Sequence, residues 1–323
     1  MADSSLAEAW GRYWRADRLA SCGGEGGRQY QAAIVEHWLG ILDALPSPVS
    51  LLDLCCGNGA LALLAVRRLR ARGATAVVSG VDRAPIDPAR WLSADRDDLG
   101  RVRFHGDVAA EDLPFPPGTF TAVFGQYALE YTDVPRTLDA CRRVLAPGGT
   151  LAFVLHAREG ITARSAAAQR EGIGRLRALG YFAAADRLAL RYARGGPETE
   201  EAVRLFAAKD RALAELARGA AEPAMYANVG GVIRDALAHL GRVPPAVVRA
   251  KIAEVAEHVG DHDARTGALL AAARSKEEVA DLFAPLRAAD FRPVGDCPEA
   301  LCGPHGLLGW TVRLVRAGGR GGG

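Results

Sequence analysis

Residues 49–59 read Val-Ser-Leu-Leu-Asp-Leu-Cys-Cys-Gly-Asn-Gly, and no other stretch of the chain limits its fold so sharply. The run Val49 to Leu52 reads as a buried strand. It ends in a carboxylate, Asp53, passes two glycines, Gly57 and Gly59, and enters an apolar helix at Ala60. A strand that turns through glycines into a helix opens a parallel sheet covered by helices. Glycines in the turn let backbone approach a ligand that a side chain would hit. Asp53 beside that turn suits a ligand with a positive group next to a ribose.

The rhythm continues to residue 157. Strands are predicted at 49–54, 75–81, 102–105, 121–125 and 150–156. Between them lie a helix running to about 72, a short one over 87–93, and one over 134–145 that breaks at Pro147-Gly148-Gly149. This alternation predicts a doubly wound, parallel α/β sheet. From 159 to 275 the pattern turns helical, with breaks expected at Gly195-Gly196-Pro197, Gly230-Gly231 and Pro244-Pro245. An amphipathic helix over 276–289 and strands near 292–297 and 309–316 follow, joined by 298–308. Upstream, 6–45 reads as helical apart from the glycine-rich stretch 22–27. The expected organisation is therefore a helical segment over 1–45, a core over 46–158, an insertion over 159–275, a return to the core over 276–317, and a disordered glycine-rich tail over 318–323.

Composition excludes several classes. Across 323 residues the hydrophobic fraction is 49% and the net charge +2, which gives no reason to expect a nucleic-acid surface. Cysteines at 22, 55, 56, 141, 297 and 302 show no paired metal-site spacing and no disulfide framework, so reduced thiols and a cytoplasmic location are expected. No signal-peptide order and no membrane-length apolar run is present.

Ligands of open parallel sheets sit at the carboxyl ends of the strands. Asp53 ends the first strand there, and Asp82, beside Arg83, ends the second. Asp107 and Val108 follow the third, Gln126, Tyr127, Glu130 and Tyr131 the fourth, and His156 ends the fifth. Asp82 can accept both hydroxyls of a ribose, and Asp107 can accept an adenine amino proton while the ring packs on Val108. A dinucleotide reading of the glycines leaves Asp53, Asp107 and Pro147-Gly148-Gly149 without roles.

Taken together, these segments resemble class I S-adenosylmethionine-dependent methyltransferases. Asp53-Leu-Cys-Cys-Gly-Asn-Gly59 is similar to their first motif, Asp/Glu-x-Gly-x-Gly-x-Gly. Gly106-Asp107 with Ala110-Glu-Asp-Leu-Pro-Phe115, Phe120-Thr-Ala-Val-Phe124, Leu129-Glu-Tyr-Thr-Asp133 and Arg143-Val-Leu-Ala-Pro-Gly-Gly149 resemble later segments. The resemblance covers about a third of the chain, 49–156. It implies a seven-stranded sheet with a helical insertion between strand five and the last helix. It also implies S-adenosylmethionine as cofactor, held by Asp53, Cys55, Gly57, Gly59, Asp82, Arg83, Asp107, Val108 and Gln126. Cys55 departs from the pattern by replacing its first glycine, so the backbone there is expected to avoid glycine-only conformations.

Attack on a sulfonium methyl needs orientation first and a general base only for a protonated acceptor. His156 is the best-placed candidate base, weighed against a hydrogen-bonded strand-end histidine; His305, in the loop before the last strand, is weighed against a solvated one. Glu130 lies beside the expected meeting point of donor and acceptor, and Tyr127 can cover the sulfonium with its ring face. Trp10, Tyr13, Trp14, Tyr30 and Trp38 suggest a lid over the cofactor or a helix packed on the core. No Asn/Asp-Pro-Pro-Tyr and no Pro-Cys follows strand four, which argues against a DNA amino or C5 target. A small-molecule acceptor enclosed by the insertion is expected, with no metal, nucleic acid or membrane partner. The alternatives are a protein or RNA methyltransferase docking through the insertion, and a non-catalytic S-adenosylmethionine-binding module.

Overall fold

The computed structural model describes residues 2–21, 30–192 and 194–318. The predicted breaker at 22–27 lies outside the described residues, as does the tail beyond Gly318. The chain divides into two compact units, Met1–Ala163 with Leu269–Gly323, and Arg164–Ala268.

In the first unit, α1 (Ala2–Trp14) and α2 (Ala32–Asp43) precede β1 (Val49–Leu54), α3 (Ala60–Ala71) and β2 (Ala76–Val81). Two single-turn helices, α4 (Pro88–Trp91) and α5 (Arg96–Leu99), lead to β3 (Val102–His105) and β4 (Phe120–Gln126). A 3₁₀ turn, Leu129–Tyr131, then α6 (Val134–Val144) and β5 (Leu145–His156) complete its first part. The second unit is built from α7 (Ile161–Leu179), α8 (Tyr181–Tyr192), α9 (Pro197–Arg218), α10 (Pro223–Ala238) and α11 (Pro245–Ala272). The first unit resumes with α12 (Lys276–Ala289), β6 (Phe291–Pro293), β7 (Glu299–Gly303) and β8 (Gly306–Arg316).

The sheet runs β3-β2-β1-β4-β5-β8-β6, with β7 pairing β8 as an eighth strand. The first five strands are parallel, whereas β8 is antiparallel to β5, β6 and β7. After β1 the chain steps outward to β3 and then returns to β4 on the other side of β1. The gap between the β1 and β4 tips is thus the switch point at which such sheets bind ligands. Strand alternation sends Leu52 and Leu54 to one face and Val49 and Leu51 to the other. The first pair packs with Leu138 and Cys141 of α6 and Phe283 of α12, the second with Trp38 of α2 and Ala62 and Ala65 of α3.

The doubly wound sheet is as predicted, and three details of the predicted elements differ. The joining segment 298–308 contains β7, whose Glu299, Ala300 and Leu301 pair with Thr311, Trp310 and Gly309. β5 begins at Leu145: Phe120 pairs with Leu145 but Ala122 with Thr150, so Pro147-Gly148-Gly149 is a bulge within a strand. Gly230-Gly231 does not break its helix, because Gly230 faces Leu213 at close range on the buried side of α10. Tertiary packing there outweighs the propensity cost of two glycines. The predicted breaks at 195–197 and 244–245 do separate helices.

The second unit has its own core, with Tyr181, Phe206, Leu213, Tyr226, Ile233 and Ile252 buried together. The insertion leaves and rejoins the first unit at one point. There the Arg158 N–H donates to the Arg274 carbonyl at 2.9 Å, and the Arg274 N–H to the His156 carbonyl at 3.0 Å.

Candidate active site

The β1 tip is built from the inside outward. Asp53 is 2% exposed, and its Oδ2 accepts from the Ala62 N–H at 2.9 Å, tying the strand end to the first turn of α3. Burial pushes its carboxyl up to about 8. Asp53 therefore braces the loop from behind rather than facing a ligand. In the loop, Cys55, Gly57 and Gly59 have φ of 52, 51 and 83°. Cys55 thus takes a left-handed conformation, which an L-residue can adopt at moderate cost and which is not restricted to glycine, in line with the expectation for it.

The next carboxylate closes the loop. Asp82 Oδ2 accepts from the Gly57 N–H at 2.8 Å and Oδ1 from the Ala84 N–H at 2.8 Å. Arg83 is exposed beside it. The β3 tip is bound to the same turn, since the Val108 N–H donates to the Asp82 carbonyl at 3.0 Å. Asp107 itself is exposed with φ 58°, and Val108 is half-buried against the core.

At the β4 tip, Gln126 is 8% exposed, and its Oε1 accepts from Trp38 Nε1 at 2.6 Å. An indole N–H only donates, so this bond orients the amide and leaves Nε2 as a buried donor with no acceptor among the described residues. Tyr127, at φ 51°, donates its hydroxyl to the Leu308 carbonyl at 3.0 Å. Its ring lies 3.9 Å from the His156 ring, with 4° between the planes.

A cavity opens over these tips, walled by Cys55, Cys56, Asp82, Arg83, Gln126 and Tyr127. Its outer side is aromatic: Trp10, Trp14 and Tyr30 come from the N-terminal segment and Tyr131 from the turn after β4. Trp10 stacks on Trp14 at 5.7 Å and meets the edge of Tyr131 at 6.5 Å. These rings of the N-terminal segment pack on one another and line the cavity.

Two predicted catalytic residues are not on this wall. His156 is 1% exposed beneath Tyr127, and burial lowers its imidazole to about 3. A ring so weakly basic and so enclosed is a poor proton acceptor, so the assignment of His156 as base is corrected to a support for Tyr127. Glu130 is 5% exposed; its Oε1 accepts from the His156 N–H at 2.7 Å, and its Oε2 has no hydrogen-bond partner among the described residues. Burial pushes its carboxyl up to about 7. His305 is exposed in the turn between β7 and β8.

Of the expected cofactor residues, Cys55, Asp82, Arg83 and Gln126 reach the wall, while Asp53, Gly57, Gly59, Asp107 and Val108 do not. The residue that sequence reasoning passed over is Asn58. It is fully buried, and its Nδ2 donates to the carbonyls of Trp14 at 2.7 Å and Arg18 at 2.8 Å. An amide between two loop glycines was the available signal. Among the described residues no cluster of His, Cys, Asp or Glu is placed to hold a metal ion. No helix among them is long and apolar enough to cross a membrane.

Residues 51–149 match a family model described as a methyltransferase domain. The 2-phytyl-1,4-naphtoquinone methyltransferase of Thermosynechococcus vestitus is 37% identical over 114 residues, 34% of this chain and 47% of that protein. The malonyl-[acyl-carrier protein] O-methyltransferase of Geobacter sulfurreducens is 36% identical over 129 residues, 39% of this chain and 45% of that protein. The chain spans just under half the length of each of these curated relatives. Among solved structures, geranyl diphosphate C-methyltransferase from Streptomyces coelicolor aligns over 47% of this chain and 65% of its own, at 19% identity and TM-score 0.36.

Proposed function

We propose that this chain, whose residues 51–149 match the methyltransferase-domain model, is a class I methyltransferase that transfers a methyl group from S-adenosylmethionine to a small-molecule acceptor. The observation that carries this reading is the cavity at the β1, β2 and β4 tips, where one carboxylate, Asp82, forms a wall and also holds the Gly57 backbone. The residues present fit such a ligand. Gln126 offers a buried N–H donor without an acceptor among the described residues, which suits an oxygen-bearing group.

When bound, S-adenosylmethionine supplies a methyl on a positively charged sulfur, which is already a good leaving group. What remains for the protein is binding, orientation and exclusion of water. Asp82 would accept hydrogen bonds from the ribose hydroxyls through its remaining lone pairs, and Gln126 would donate one from Nε2. The Tyr127 ring, held on its other face by His156, presents its π-surface to the cavity. Trp10 and Tyr131 shield the outer side. Neither His156 nor Glu130 lies on the cavity wall, whereas the carboxylates of Asp82 and Glu111 do. The names of the relatives concern a quinone ring and a carrier-bound malonyl group, and they support a small acceptor moiety.

Incubation with S-[methyl-³H]adenosylmethionine and a panel of phenolic, carboxylic and amine acceptors tests the proposal. Saturable cofactor binding with label transferred to a small acceptor supports it. Binding without transfer to any class points to the non-catalytic module, and absence of binding rejects the site.

A further inference from the structure

Resting on the proposed methyl-donor site, we infer that Trp38 is a positioning residue. Its indole N–H fixes the Gln126 side chain so that the amide turns its NH₂ group, not its carbonyl, to the bound ligand, and the site thereby selects an oxygen there. Trp38 is itself absent from the cavity wall, whereas Gln126 is on it. The indole is 0% exposed on α2, buried with Leu61 and Ala62 of α3 and lying 5.1 Å from the Phe124 ring of β4. Packing holds the ring, and its one polar atom, Nε1, donates to Gln126 Oε1 at 2.6 Å.

The backbone of Gln126 is fixed separately. It pairs with Val154 of β5, and the Tyr127 N–H beyond it donates to the Val154 carbonyl at 2.7 Å. What remains open is the carboxamide, whose two ends are nearly equal in shape and opposite in polarity. Rotation about its last bond exchanges them. An indole N–H cannot accept, so the exchanged amide would set two donors against each other where burial keeps water from both. The amide nitrogen is therefore the end left for the ligand. Two sources bring a matching oxygen: the carboxylate at the amino-acid end of the cofactor, and an oxygen of the methyl acceptor. A Trp38 that acts only by packing predicts no such preference, and the effect of replacing it would not depend on Gln126.

Calorimetric titration with S-adenosylhomocysteine and with 5′-methylthioadenosine, which lacks the amino-acid end, tests the assignment together with the KM of an acceptor that takes label. Gln126→Leu is expected to lose about 10- to 100-fold. The loss falls on S-adenosylhomocysteine but not methylthioadenosine where the carboxylate is the partner, and on the acceptor KM where the acceptor is. Gln126→Glu keeps an oxygen for Trp38 but turns a second one to the ligand, and is expected to lose more than Gln126→Leu. Trp38→Phe keeps a ring without the N–H. It is expected to lose about 3- to 10-fold in the same quantity, and nothing further in the Gln126→Leu background. Losses that add in the double variant overturn the positioning role, as does a Gln126→Glu variant equal to the wild type, or unchanged affinity and KM in Gln126→Leu. If Trp38→Phe fails to fold, Gln126→Glu against Gln126→Leu decides, and where no acceptor takes label the S-adenosylhomocysteine arm decides alone. Failure of the wild type to bind S-adenosylhomocysteine rejects the proposed site itself, whereas intact binding with indifferent variants rejects only this inference.

Discussion

The two units of this chain handle buried polarity in opposite ways. The first encloses Asp53, Asn58, Gln126, Glu130 and His156 around its strand tips, whereas the buried polar residues of the second, among those described, are Asp261 and Thr266. Charged groups of the second unit pair near its surface instead, as in Arg170 and Arg177 with Asp263 or Arg249 with Asp186. Such pairs contribute only about 0–1 kcal/mol each. Backbone strain is divided the same way. Every described non-glycine residue with positive φ, namely Asp17, Cys55, Asp95, Asp107 and Tyr127, lies in the first unit, and three of them follow a strand at its carboxyl end. Costly groups thus gather at the strand tips of the first unit, and the helical unit is stabilised by ordinary packing.

The comparison breaks most easily at a core position of the second unit. Ile233→Ala, fully buried in α10, should destabilise by about 2–5 kcal/mol in denaturant unfolding. S-adenosylhomocysteine affinity should stay within about twofold, because every wall of the cavity lies in the first unit. A tenfold loss of affinity would show that the chemistry is not confined as described. Asp82→Ala should do the reverse. It removes the acceptor of the Gly57 and Ala84 N–H groups and should weaken binding by about 100-fold, with the far-ultraviolet circular dichroism preserved.

Glu130→Gln sharpens the electrostatic side. Folded Glu130 keeps its proton up to about 7, whereas the unfolded chain loses it near 4.5. Its contribution to stability is therefore complete below pH 4.5, declines from there to 7, and is gone above. The wild type should lose up to about 3 kcal/mol relative to Glu130→Gln across that window in pH-resolved melts. Parallel pH curves would contradict the burial argument. The smallest effect is expected at His156→Phe, which keeps a ring beneath Tyr127; turnover should stay within about threefold, and a fall of about 100-fold or more would restore His156 as a base.

The parts legible in the sequence were those in which one residue type answers one local demand. β3 and α12 stand at their predicted bounds, since alternation and the Ser275–Glu278 capping box mark them. Asp82 and Gln126 stand on the cavity wall, and polar residues at strand ends of a parallel sheet are conspicuous in the sequence. Residues whose role depends on distant partners were not legible. His156 and Tyr127 both stand at strand tips, and only the fold shows one ring lying beneath the other. Asn58 acts through carbonyls about 40 positions upstream. β7 was hidden because it owes its pairing to β8 across a tight turn, not to a strong strand pattern of its own.

A crystal structure of the chain grown with S-adenosylhomocysteine tests the central claim most directly. The account predicts the ligand at the tips of β1, β2 and β4, with its ribose on Asp82, its thioether end beside Gln126 and Tyr127, and the face of Gly57 in contact with it. Ligand bound elsewhere, or held at the tips without touching Asp82 or Gly57, would contradict the claim.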